Sequence, residues 1–415
     1  MNPQLSHTPN LDTLAANGVV FNRAYATSPW TMPSVASMFT SKMPSRHLVE
    51  TIESQLSDDE TTLAELLKDQ GFATCGAVSH HLLQEKYGFH QGFDVYDERA
   101  AGEHKSVTSA QITDTAIEWL RGGFDSPFFL FLHYFDPHYN YMHHEAFDQT
   151  SWYQGYLTPG MNIWYLRSRR PWLTPDDIRY MIGLHREEIA FTDHHIGRLL
   201  DELDRLGLKE DTLVIFVADH GEEFMRHGWI GHTRTLYEEL LQVPFIVSLP
   251  GTISPGVVNS PVSIVDIVPT ITDLLDIQVD NSGWDGRTLA FEILNGKELD
   301  RAREIYAEVS FGPRNIHEPF ADRAIEKVAY KTSVVSGSNK LIHDLQYDTW
   351  ELFDLIDDPH ELRNLAGKTN PSEHLLKERL TAWEASREEH DKRQDDGVKL
   401  NADEIRRLKS LGYLR

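Results

Sequence analysis

Asp219 and His220 stand side by side at the end of TLVIFVADHGE (212–222), and a carboxylate beside an imidazole is a good ligand pair for a divalent cation. Their place in the chain suits that role. Thr212 to Val217 is a β-branched run that reads as a buried strand. Gly221 lets the backbone turn, and open α/β sheets bind ligands outside the carboxyl ends of their strands. The same pair could also cap a helix and sit at the surface. The elements around it must decide.

Those elements alternate. Thr8-Pro9 predicts a helix start, with a capping hydroxyl and proline at the first helical position; Asn17-Gly18 ends that helix, and extended VVF follows. Strands are expected over 72–79, 127–135, 212–219 and 243–250, and helices over 61–71, 109–122 and about 176–207. This order predicts an α/β fold with a parallel or mixed sheet between helices. Residues 140–175 are rich in aromatics, Pro and Gly and read as an excursion over the sheet, where substrate selection often resides. From about 301, AYKTSVVSG, KLIHDL and WELFDLIDD precede a charged helix starting near 372. The expected division is an α/β catalytic domain over 1–300 and a small C-terminal α+β subdomain over 301–415.

Composition narrows the partners. The chain has 415 residues, 40% hydrophobic, with 39 basic against 64 acidic side chains and a net charge of −25. That balance argues against nucleic acid or an anionic membrane as a general partner. It leaves room for a small anionic substrate, because a metal locally reverses the field. Cys75 is the single cysteine, so an intrachain disulfide is impossible and the residue reads as a small core side chain. No segment has the apolar length of a bilayer span.

The segment TPNLDTLAANGVVFNRAYATSPWTMPSVASMFTSKMPSRH (8–47), with FFLFLHYFDPH (128–138), FVADHGEEF, HGWIGHTRTLYEELLQVPFIV (227–247), VDIVPTITDLL (265–275), WELFDLIDDPHELRNLA (350–366) and the closing KSLGYL, resembles the sulfatase-like hydrolases of the alkaline phosphatase superfamily. The resemblance implies an alkaline phosphatase/sulfatase-like fold and metal-assisted cleavage of a sulfate, phosphate or phosphonate ester. It places Thr31, in Thr31-Met32-Pro33-Ser34-Val35, at the nucleophile position, where a helix start favours an anionic ester. Sulfatases oxidise Cys or Ser there to formylglycine. Thr31 is neither, so no formylglycine is expected, and a Thr hydroxyl can attack directly when a metal lowers its pKa. Alternatively, Thr31 and Ser34 cap the helix.

The resemblance further assigns Asp219 and His220 to the metal, His138 to the substrate oxyanion or leaving group, and His232 to leaving-group protonation, with His227 as its rival. Arg234 would pair with a sulfate or phosphate oxygen. Asp136 is expected to shape a turn, His133 to belong to a strand, and His80 and His81 to lie near a second basic position. His220 stands where sulfatases commonly carry Asn, which tilts the metal from Ca²⁺ toward Zn²⁺ or Mn²⁺.

In the family a first strand ending in an acidic pair supplies the other metal ligands, 20 to 30 residues before TPNLD. Thr8 is only seven residues from Met1, and Asp12 sits inside the first helix. The sequence therefore predicts an N-terminally truncated frame, with weak metal binding by the chain as given. Localisation follows the same fork: cytoplasmic if Met1 is the start, periplasmic or secreted if an export signal precedes it. Three functions stay open at this point: an ester hydrolase, a non-catalytic binding protein on the same fold, and a phosphotransferase. The ester and the oligomeric state are not legible.

Overall fold

The computed structural model describes residues 8–102, 107–295, 303–311, 329–368, 371–388, 397–410 and 413. Its strands form mixed and parallel sheets flanked by helices. One sheet runs in the order Gly256–Val258, Val19–Phe21, Phe245–Ser248, Val214–Val217. Val19 pairs in parallel with Gly256 and antiparallel with Val247, and Phe245 lies antiparallel to Val217. A second sheet, Val95–Asp97, Ala73–Val78 and Phe128–His133, is parallel throughout. The expected α/β class is what the chain adopts.

Apolar runs build these strands and their cores. Phe21 stacks on Phe245 with ring centroids 4.8 Å apart, and Cys75 is a buried core residue of the central parallel strand. Burial pushes its thiol up to about 11, the inert condition of a packed cysteine. Among the described residues, Phe128–His133 pairs only with Ala73–Val78, and Val214–Val217 only with Phe245–Ser248. Both of these outer strands are half-buried along their whole length.

The 31-residue helix Pro175–Arg205 starts as a Thr174–Asp177 capping box and then organises its neighbours with inward carboxylates. Asp193 accepts the N–H groups of Asn10 and Leu11 at 3.2 and 2.8 Å. It thus caps helix Pro9–Ala16 in place of Thr8, whose hydroxyl makes no cap and instead meets Asp12 Oδ1 at 3.4 Å. A long-range cap displaced the local one expected from the sequence. Glu188 accepts from the N–H groups of His138 and Met142, and Glu187 from those of His144 and Gln149. These bonds tie the 138–150 segment down, and its Tyr139 and Tyr141 bury a separate cluster with Ile163, Leu166 and Tyr180.

The C-terminal sheet is antiparallel in the order Glu304–Phe311, Ala329–Ser336, Asn339–Asp344, Thr349–Asp354. The period of two splits its side chains between two cores. Ile305, Val309, Val335, Ile342 and Phe353 join the core around Phe21 and Phe245. Val334, Leu341 and Leu352 pack under Leu376 and Leu380 of helix Pro371–Glu388. Lys340 is fully buried between Glu238 and Glu361, 2.9 Å from each.

Candidate active site

Thr31 opens helix Thr31–Thr40, whose ten residues are all buried. Its hydroxyl makes no cap. Ser34 does not cap either, since its hydroxyl donates to the Ser28 carbonyl at 2.8 Å. The Thr31 oxygen lies instead 3.2 Å from Nε2 of His220. His220 commits its Nδ1–H to the Gly221 carbonyl at 2.8 Å, so its Nε2 lone pair faces Thr31. Asp219 Oδ2 lies 3.5 Å from the same nitrogen and is buried without a hydrogen-bond partner. An uncommitted carboxylate oxygen and an imidazole held by a backbone carbonyl are what a divalent cation uses.

The turn that carries this pair is fixed by close packing. Gly221 N–H donates to the Leu240 carbonyl at 2.8 Å. A Cβ at Gly221 would fall 2.1 Å from the Glu239 carbonyl oxygen, so only glycine lets the strand end approach that helix. Gly231 has φ +91° and lies where a Cβ would meet the Arg167 guanidinium. It delivers His232, and the Thr233 N–H bonds the Pro29 carbonyl at 3.0 Å, which locks that segment beside Thr31.

His232 is fully buried. Its ring lies 4.4 Å from the ring of His220 and 4.9 Å from that of His138, and its Nδ1 faces Glu222 at 3.2 Å. Thr31, His138, Asp219, His220 and His232 thus form one continuous group. His133 is close enough to feel Asp219 and His220, although desolvation dominates and lowers it to about 4. Asp136 gathers the N–H groups of Thr108 and Ser109 at 2.9 and 2.8 Å, before a cis bond to Pro137. It shapes the turn that presents His138.

Of the two expected substrate contacts, His227 sits elsewhere. His227 stacks on Tyr237 at 3.6 Å, bonds Glu239 through Nδ1 at 2.8 Å, and meets the His360 and Glu361 carbonyls through Nε2. It joins Glu239 to the loop at 360–361 and does not enter the group around Thr31. Arg234 lies 4.6 Å over the Trp229 ring, which Arg167 and Arg170 also approach. His80 is buried against His138, with ring centroids 6.1 Å apart. His81 turns away toward Lys86, and burial lowers it to about 4.

The structure adds four residues that sequence reasoning left unmarked. Glu222 backs His232, and burial raises its pKa well above the carboxylate range. Tyr139 stacks on His232 at 4.8 Å. Arg167 is buried and donates to the Ile230 carbonyl at 2.9 Å. Tyr413 reaches His80 and His232 from the far end of the chain. Glu222 had a signal, its adjacency to the Asp-His pair; nothing in the sequence separates Arg167 from Arg169 and Arg170. Among the described residues, two further groups have ligand atoms within 4.8 Å of one another, His143–Asp148–Glu187 and Glu223–His227–Glu239. Their carboxylates already accept hydrogen bonds from neighbouring backbone and side chains.

The sulfatase family profile matches residues 2–277, and that of the N-sulphoglucosamine sulphohydrolase C-terminal region matches 225–386. N-acetylglucosamine-6-O-sulfatase of Bacteroides thetaiotaomicron is 26% identical, over 88% of this chain and 79% of that protein. Choline-sulfatase of Rhizobium meliloti is also 26% identical, over 92% and 82%. Among solved structures, the phosphonate monoester hydrolase of Agrobacterium radiobacter superposes with a TM-score of 0.73 at 22% identity, covering 92% of this chain and 91% of that one. An enzyme solved with its substrate D-glucosamine-2-N,6-O-disulfate gives 0.75 at 21% identity, covering 94% of both. No helix among the described residues is long and apolar enough to cross a membrane. The match over two-thirds of its length, on the fold and collinear motifs described above, makes this chain a member of the sulfatase family of hydrolases.

Proposed function

We propose that this sulfatase-family hydrolase cleaves a small phosphate, phosphonate or sulfate ester with Thr31 as nucleophile. The carrying observation is the approach of Thr31 Oγ1 and Asp219 Oδ2 to the same His220 nitrogen, at 3.2 and 3.5 Å. Asp219 and His220 would hold a divalent cation, and their mixed oxygen–nitrogen donor set favours Zn²⁺ or Mn²⁺ over Ca²⁺. Bound there, it would lower the pKa of the Thr31 hydroxyl and offset charge on the ester.

The protein's own residues supply the rest. The Thr31 hydroxyl loses its proton to solvent, its oxygen attacks phosphorus or sulfur in line, the bond to the leaving oxygen breaks, and His232 gives that oxygen a proton that it takes back from the water entering in the second step. His138, stacked between Phe135 and Tyr139, faces the non-bridging oxygens. Water then hydrolyses the Thr31 ester. Thr31 lacks the thiol or primary alcohol from which formylglycine is made, which favours phosphorus over sulfur as the centre attacked.

The deciding experiment is turnover of nitrophenyl phosphate, a phenylphosphonate ester and nitrophenyl sulfate by wild type and Thr31→Ala. Loss of all three activities in a folded Thr31→Ala protein is expected. Retention of full activity would overturn the covalent role.

A further inference from the structure

Helix Ala402–Ser410 delivers an aromatic side chain into the site that the chemistry above leaves unused. Asn401 Oδ1 caps the helix by accepting from Asp403 and Glu404 N–H at 2.9 and 3.0 Å. Glu404 pairs with Lys86, and Leu408 is fully buried. The Tyr413 N–H then closes back on the Leu408 carbonyl at 3.0 Å. Its ring packs against Trp30 and Phe311, with centroids 6.0 and 6.2 Å away.

The phenol oxygen is where several functional groups meet. It lies 3.2 Å from His80 Nε2 and 3.5 Å from His232 Nε2, beside the hydroxyls of Thr31 and Tyr139. The proton directions follow from the partners. His80 Nδ1 accepts from the Leu82 N–H at 3.0 Å, so a neutral His80 carries its proton on Nε2 and donates to Tyr413. The phenol is thereby an acceptor toward His80, which leaves its own O–H available to the pocket that His232, Tyr139 and Thr31 line. A donor beside the nucleophile is where a non-bridging oxygen of the attacked group must lie.

We propose that Tyr413 contacts the substrate, donating its O–H to a non-bridging oxygen of the sulfuryl or phosphoryl group bound at Thr31, so that the C-terminal segment forms a wall of the catalytic pocket. The inference rests on Thr31 marking the reacting centre. On binding, the O–H exchanges its partner within the pocket for the ester oxygen; no covalent bond to Tyr413 forms, and its proton stays in place. The ligand class is a tetrahedral oxyanion, free or esterified.

Tyr413→Phe removes the oxygen and keeps the ring. In the full chain it should lower kcat/KM for nitrophenyl phosphate by roughly 10- to 100-fold, the scale for one donor to a developing oxyanion. Affinity for inorganic phosphate, measured by calorimetry, should weaken by about tenfold, with the same factor in a Thr31→Ala background and no fall in thermal midpoint. Unchanged turnover and unchanged phosphate affinity in Tyr413→Phe would overturn the contact. So would a gain in turnover, which would make the ring an obstruction, or a wild type that binds no phosphate. Phosphate affinity that depends on Tyr413 in a protein where Thr31→Ala keeps full activity would leave the contact standing and remove the nucleophile instead.

Discussion

The Thr31 hydroxyl and the His220 imidazole meet at 3.2 Å although 189 residues separate them. One stands at the first residue of a buried helix, the other just past the end of a strand. Each is held independently, the Thr31 side by the Thr233–Pro29 bond and the His220 side by the Gly221–Leu240 bond. Positioned groups fixed by separate supports keep their spacing when a substrate arrives.

Thr31→Ser should therefore keep part of the activity that Thr31→Ala loses, because a primary hydroxyl can occupy the same place. The rotamer is less restricted without the β-methyl, so a fall of about 10-fold in kcat is expected. Steady-state kinetics on nitrophenyl phosphate, with circular dichroism as the fold control, would check it. Equal kcat for Ala and Ser variants would contradict a covalent role.

Metal content should follow Asp219 and His220. Elemental analysis after dialysis against Zn²⁺ or Mn²⁺ should find less metal in Asp219→Asn and His220→Ala than in wild type. The Glu223→Gln protein should match wild type, since Glu223 already accepts from Trp229 N–H and the Thr235 hydroxyl. Metal lost with Glu223 and kept without Asp219 would relocate the site.

Lys340→Met should be among the most destabilising single changes. It leaves Glu238 and Glu361 facing each other in the space that the ammonium fills. Breaking a buried pair by removing one partner costs about 3–5 kcal/mol. Differential scanning calorimetry should show a large drop in midpoint; a shift within error would mean the carboxylates are effectively solvated.

Acid should weaken the fold before the carboxylates titrate. Burial holds His47 down to about 3 and His185 to about 4, in each case with a nearby cation adding to the effect. The unfolded chain takes up these protons near pH 6.5 and the folded one does not. Their contribution is thus present above about pH 6.5 and is lost as pH falls toward 4 and 3. His47→Asn, which keeps an acceptor for the Val49 N–H that His47 Nδ1 binds at 3.1 Å, should flatten the slope of thermal midpoint against pH across that window. An unchanged slope would assign the acid sensitivity to other groups.

Apolar period and turn residues made much of the scaffold legible. The strands Ala73–Val78, Phe128–His133, Val214–Val217 and Phe245–Ser248 lie inside the expected runs, because β-branched and aromatic stretches have few other uses. Asp136 was readable as a turn former because an Asp-Pro pair has that local chemistry. Contacts between distant segments were not readable. Thr8 looks like a cap until Asp193 arrives from the long helix. His227 and His232 both neighbour glycine, and only the fold sends one to Tyr237 and the other to His220. Tyr413 lies in the closing KSLGYL, one of the segments that carry the resemblance, but nothing in that segment says that its side chain reaches the pocket.

Among the described residues, strands Phe128–His133 and Val214–Val217 pair on one side only, and this bears on how the pocket moves. Backbone groups along such a margin open locally at lower free energy than those of strands paired on both sides. Deuterium uptake should be faster there than in Ala73–Val78 or Phe245–Ser248. His138 and Asp219 hang from the carboxyl ends of these two margins, one on each. Breathing at the looser margins of the two sheets is therefore transmitted to both residues, and whatever quiets those margins will also narrow the range of distances between His138 and Asp219.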